Sequence, residues 1–154
     1  MKIMDFLPEK AIVPEIKHQD KEGAIEELLT PLVDLGYIKN REEILKVIME
    51  REELGSTGIG QGIAVPHAKS EQVKEIVASV GLSSRGVNFD ALDEEPVHIL
   101  FLVLAPSEAT GVHLKALARI ARLLKDKIFR NSLIACKTKD DILRTIREED
   151  ERLP

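Results

Sequence analysis

The sequence predicts an α/β fold: a single-domain sandwich over residues 1–154, with a mixed central β-sheet and helices on both faces. Three observations carry this. Segments with helical apolar spacing are mixed along the chain with short apolar runs suited to strands. The run Val97-His-Ile-Leu-Phe-Leu-Val-Leu104 is nearly continuous, as in a central strand covered on both faces. No internal repeat, low-complexity tract or linker divides the 154 residues, a length usual for one domain.

In chain order, a short turn opens the chain and a strand is expected around Ala11-Ile-Val13. Asp20 is placed to cap a helix whose apolar face is Ala24, Ile25, Leu28, Leu29, Leu32 and Val33, with Gly36 where a C-terminal cap belongs. Pro31 lies inside that pattern and is expected to kink or break the helix. Asn40 with Glu43 resembles a capping box, opening a helix through about Leu54 that Gly55 ends. A glycine-rich loop follows from Gly55 to Gly62, and strands are expected at Ile63–Val65, Ile76–Val80 and Val97–Leu104. Thr110 is expected to cap a long helix with Leu114, Leu117, Ala118, Ala121 and Leu124 inward. Thr138 is expected to cap a last helix through about Glu149.

Composition narrows the function. The net charge of −5 disfavours a nucleic-acid partner, which needs clustered Lys and Arg. Aromatic residues are 3 % with no Trp, so stacking on bases or sugars is not the main recognition mode. No apolar run approaches a membrane span, and the N-terminal residues do not form a signal peptide. One cysteine makes no internal disulfide, so a cytoplasmic location is expected.

The usual catalytic motifs fail one by one. G-x-S-x-G, H-E-x-x-H and C-x-x-C are absent, and no metal site is recognisable. The glycine loop lacks the Lys and Ser/Thr of a P-loop, since Gln61 and Gly62 follow Gly60, and it does not fit a dinucleotide fingerprint. What remains is Ala64-Val65-Pro66-His67. The proline removes a backbone donor, so strand pairing is expected to end there, with the imidazole held at the sheet edge and partly exposed. On its own His67 is either a positioned nucleophile or a turn histidine without a role. His113 falls in the first turn of the helix after Thr110, where free N–H groups favour an anion and disfavour a protonated ring. Arg51 lies near a helix end, where a cation also suits the dipole. His98 reads as a core or edge histidine, His18 as a surface one and Cys136 as a small buried hydrophobe.

The stretch Arg51-Glu-Glu-Leu-Gly-Ser-Thr-Gly-Ile-Gly-Gln-Gly-Ile-Ala-Val-Pro-His67-Ala-Lys resembles the phosphorylation-site signature of fructose/mannitol-type enzyme IIA domains of the bacterial phosphoenolpyruvate-dependent sugar phosphotransferase system. The resemblance continues through Gly86-Val-Asn-Phe-Asp90, Pro96-Val97, Ala105-Pro106 and His113-Leu-Lys-Ala-Leu-Ala, and so covers essentially the whole chain. It implies that His67 is the phosphorylated histidine, accepting through Nε2. His113 would be the second active-site histidine and Arg51 the arginine close to the phosphoryl group. Ser56 and Thr57 either donate hydrogen bonds to a phosphate near His67 or are ordinary loop polarity. No cofactor and no metal are implied.

The implied activity is that of a phosphotransferase with a phosphohistidine intermediate. The donor would be the histidine-containing phosphocarrier protein and the acceptor a cysteine of an enzyme IIB domain. Membrane association would then be indirect, through the transporter. Pro66-His67-Ala68-Lys69-Ser70 looks more like the members that serve fructose-type uptake. The alternative within the family is a regulatory protein of the nitrogen-related branch. Outside the family it is a binding module whose histidines are structural.

Overall fold

The computed structural model describes residues 1–154. Its strands are β1 (Ile12–Val13), β2 (Gly58–Gly60), β3 (Ile63–Ala64), β4 (His67–Ser70), β5 (Val77–Val87) and β6 (Val97–Pro106). Its helices are α1 (Lys21–Asp34), α2 (Arg41–Glu53), α3 (Thr110–Leu124), α4 (Lys127–Ile134) and α5 (Lys139–Arg152). None is long and apolar enough to cross a membrane.

The apolar run of β6 is the centre of a mixed sheet, and Ile99 to Ala105 are fully buried. On one side β6 pairs antiparallel with β5, which pairs parallel with β1. On the other side β3 and β4 share a single lane, both parallel to β6. Ala64 lies opposite Leu100 and His67 opposite Val103, so the register is unchanged across the gap at Val65-Pro66. Pairing does not end at the proline, as the sequence suggested. It is interrupted there, and His67 opens a new strand. The interruption costs little, because Pro66 still accepts a hydrogen bond from the Val103 N–H at 3.0 Å. α1 and α2 pack together on one face, and α3, α4 and α5 cover the other, as expected.

The glycine segment is a hairpin rather than an open loop. β2 folds back on β3 around Gln61 and Gly62, whose φ angles of 58° and 77° are both left-handed, as a type I′ turn requires. Asp20 caps α1 by accepting from the Gly23 N–H at 3.0 Å. α1 ends in a Schellman motif, with Tyr37 N–H on the Leu32 carbonyl and Gly36 at φ 84°. Pro31 does not break α1, which runs on to Asp34. Asn40 caps α2 through the Glu43 N–H, but the reciprocal half of the box is taken by Gln72, whose Oε1 accepts from the Asn40 N–H.

Two helix expectations need correction. Thr110 is the first residue of α3 and not its cap; Ala109 precedes the helix without a capping side chain. The buried face of α3 is His113, Ala116, Arg119, Ile120, Leu123 and Leu124, while Leu114, Ala118 and Ala121 face outward. The apolar pattern misplaces the face because two polar residues, His113 and Arg119, point inward. Arg119 is held there by an ion pair with fully buried Asp150 at 2.8 Å.

Candidate active site

Three elements bring the predicted residues together. Arg51 stands in the last turn of α2, His67 at the first position of β4 and His113 in the first turn of α3. The His67 and His113 rings meet edge to face, with centroids 5.3 Å apart. The Arg51 guanidinium donates to the Gly55 carbonyl at 2.9 Å, which ties it to the start of the glycine segment. Its charge reaches His67 and disfavours a proton there.

The backbone fixes how His67 is presented. Its Nδ1 lies 2.7 Å from the Val65 carbonyl oxygen. A carbonyl only accepts, so Nδ1 carries the proton and Nε2 keeps its lone pair. Val65 faces away from β6, with its N–H on the Thr57 carbonyl, and its carbonyl is the one the ring takes. Burial pushes the His67 pKa below the ordinary histidine value; the Val65 carbonyl and Glu52 oppose that and Arg51 adds to it. His67 is thus a neutral, half-buried imidazole near pH 7, with the Nε2 lone pair that a nucleophile needs.

His113 is buried, and its Nε2 has no hydrogen-bond partner. Burial, with the neighbouring His67 and Lys69, pushes its pKa down to about 4. Such a ring is neutral at pH 7. An unpartnered buried ring nitrogen costs about 1–3 kcal/mol, a penalty relieved when a hydrogen-bonding atom reaches it.

Ser56 and Thr57 are not turned outward. Ser56 Oγ donates to the Phe89 carbonyl at 2.9 Å, and Thr57 Oγ1 donates to the Glu52 carboxylate. Their hydroxyls hold the loop. The sequence reading does not single out Lys69. It lies two positions after His67 on the same side of β4, and its Nζ donates to Thr110 Oγ1 at 3.0 Å, beside the N-terminus of α3. Strand alternation from His67 is the signal that places it there. The other residues of interest are engaged elsewhere: His98 Nδ1 donates to the Ser83 carbonyl, His18 pairs with Glu27, and half-buried Cys136 contacts Thr145.

A neutral imidazole with one free nitrogen, flanked by an arginine, a lysine, an unpaired ring nitrogen and a helix N-terminus, suits a tetrahedral anion on Nε2. The comparisons with known proteins give the family. The family model described as phosphoenolpyruvate-dependent sugar phosphotransferase system, EIIA 2, matches residues 5–149. The fructose-specific EIIABC component of Bacillus subtilis (strain 168) is 36 % identical over 151 residues; the match covers 98 % of this chain but spans only 24 % of that relative's length. A nitrogen regulatory protein of Bradyrhizobium diazoefficiens is 38 % identical over 137 residues, 89 % of each chain. The crystal structure of nitrogen regulatory protein IIA-Ntr from Neisseria meningitidis superposes with a TM-score of 0.85 at 31 % identity, covering 94 % of this chain and 98 % of that one. With the family model matched almost end to end on a chain of this fold, this protein belongs to the EIIA type 2 family of the phosphoenolpyruvate-dependent sugar phosphotransferase system.

Proposed function

We propose that this chain is a phosphoryl carrier in which His67 Nε2 takes a phosphoryl group from one protein and hands it to another. The observation that carries the reading is the Val65 carbonyl on Nδ1, which leaves Nε2 as the free nucleophile beside the unpartnered His113 ring. The Nε2 lone pair attacks the phosphorus of a phosphohistidine on the donor. The Nε2–P bond forms as the donor N–P bond breaks, and the leaving nitrogen keeps the electron pair. His67 keeps its Nδ1 proton throughout. In the second transfer an acceptor thiolate forms an S–P bond and Nε2 recovers its lone pair. Little else is asked of the protein than positioning and charge. Arg51 and a neutral His113 donating from Nε2–H would hold the equatorial oxygens, with Lys69 adding positive charge.

The donor in this reading is the histidine-containing phosphocarrier protein, and the acceptor is a cysteine of an enzyme IIB domain in fructose-type sugar uptake. Both meetings take place in the cytoplasm, with the membrane reached only through the transporter. Exposed apolar side chains suit a transient protein contact: Ile59 on β2 and Val112 and Leu114 on either side of His113 are all open to solvent. A regulatory role in the nitrogen-related branch is supported by the relative that is 38 % identical over 89 % of both chains. The same phosphohistidine serves either role.

The test uses phosphoenolpyruvate, enzyme I and the phosphocarrier, followed by intact mass at neutral and acid pH. A gain of one acid-labile phosphoryl group, lost in His67→Ala, is expected. No gain with a competent donor set, or an undiminished gain in the variant, refutes the reading. Transfer onward to a fructose-type enzyme IIB, or failure of that step, separates transport from regulation.

A further inference from the structure

We propose that Glu52 is a positioning residue for His67, acting through Thr57 and Val65 without touching the reacting atoms. Glu52 sits in the last turn of α2 with its carboxylate almost fully buried. It accepts from the Thr57 N–H at 3.1 Å and from the Thr57 hydroxyl. Lys21 Nζ holds it from the other side at 3.0 Å, itself packed over the Phe89 ring at 4.8 Å. Thr57 is thereby clamped at both its N–H and its side chain. The Thr57 carbonyl in turn accepts from the Val65 N–H at 3.1 Å, and the Val65 carbonyl accepts from His67 Nδ1 at 2.7 Å.

The result is one hydrogen-bonded chain from a buried carboxylate to the ring: Glu52, Thr57, Val65, His67. Its last link matters because Val65 lies in the gap between β3 and β4: β6 holds the next residue, through the Val103 N–H on the Pro66 carbonyl, while the Val65 N–H itself is held by Thr57. The peptide that orients the imidazole is therefore pinned on one side by β6 and on the other by Thr57. A buried carboxylate is costly to keep unless it is well paired, and here its oxygens are spent on one loop residue and one lysine. Glu52 fixes the tautomer that leaves Nε2 free. This role rests on the carrier reading of His67, but its spectroscopic consequence does not.

The experiment compares wild type with Glu52→Gln, Glu52→Asp and Thr57→Val. Two-bond ¹H–¹⁵N correlation spectra of the neutral ring report the tautomer, and single-turnover phosphoryl acceptance reports the rate. Wild type is expected to show one His67 tautomer, protonated at Nδ1. Gln keeps the reach: its Oε1 accepts from the Thr57 N–H and its amide N–H donates to the Thr57 hydroxyl oxygen in place of accepting from it, so tautomer and rate are expected within about threefold of wild type. Asp keeps the charge but is one methylene short. It is expected to mix the tautomers, to expose the Val65 amide to hydrogen exchange and to slow acceptance about tenfold to a hundredfold, the usual consequence of a misplaced nucleophile. Thr57→Val, which keeps the shape and loses only the hydroxyl, is expected to move the same way by a smaller amount and guards against an unfolded Asp variant. Wild-type tautomer and rate in both Asp and Val variants overturn the proposal. So does a Gln variant as impaired as Asp, which would make charge rather than reach the cause. A wild type that takes no phosphoryl group overturns the carrier reading alone, since the tautomer test needs no donor.

Discussion

Replacing His113 by Leu should make the protein more stable while disabling it. The ring is buried, its Nε2 is unpartnered, and Leu has nearly the same volume. Removing an unsatisfied buried nitrogen returns about 1–3 kcal/mol at pH 7. The pH dependence adds a second, separable effect. The folded pKa of about 4 lies below the unfolded value of 6.5. As pH falls through 6.5 the unfolded chain therefore binds a proton that the native state refuses, and the wild type loses stability down to about pH 4. At pH 5 that loss has accumulated over about 1.5 units, or roughly 2 kcal/mol at about 1.4 kcal/mol per unit. The variant lacks this loss, so its advantage should grow by about 2 kcal/mol between pH 7 and pH 5. Urea unfolding at the two pH values measures both numbers. Phosphoryl acceptance should fall about 10²–10³-fold, the usual cost of losing one donor to a developing anion. A variant no more stable than wild type at pH 7, with the same loss toward pH 5, refutes the assignment of His113 as a buried, neutral, unpaired group.

Three further outcomes follow from the same geometry. Imidazole titration by NMR should place His67 below 6.5 and His113 near 4, while His18 titrates above 6.5 because Glu27 hydrogen-bonds its charged form; a His67 midpoint above 6.5 contradicts the neutral nucleophile. Arg51→Ala should leave the amide spectrum largely unchanged and cut acceptance about 10²–10³-fold, and a wild-type rate removes Arg51 from the site. Arg119→Ala should strand the Asp150 carboxylate in the core and cost about 3–5 kcal/mol in urea unfolding; phosphoryl acceptance by the protein that remains folded should not change.

Much of this was readable from local chemistry. The β6 run, the Asp20 and Thr138 caps and the Gly36 terminus depend on neighbours in sequence, and all stand in the structure. What failed depended on distant partners. β5 runs on to Val87 through a bulge: Ser83, Ser84 and Arg85 fall between the pairs Leu82–Ile99 and Val87–Val97, and Ser83 is held there by the His98 ring and the Gly86 N–H, which no apolar pattern reveals. The inward face of α3 was rotated because Arg119 finds Asp150 far along the chain. The glycine segment looked like a loop, since a hairpin of two- and three-residue strands has too few positions to show alternation. At the site, the juxtaposition of Arg51, His67 and His113 came from the motif resemblance. The Val65 carbonyl on Nδ1, the inward turn of Ser56 and Thr57 and the buried Glu52 are properties of the folded backbone and have no sequence signature.

The most direct measurement is the nitrogen to which the phosphoryl group is attached. Protein labelled with ¹⁵N and phosphorylated by the donor set should show phosphorus coupling to a single imidazole nitrogen, Nε2 of His67, with Nδ1 still protonated and bonded to the Val65 carbonyl. Coupling to Nδ1, or to a nitrogen of any other residue, would contradict the presentation of His67 on which the proposed chemistry depends.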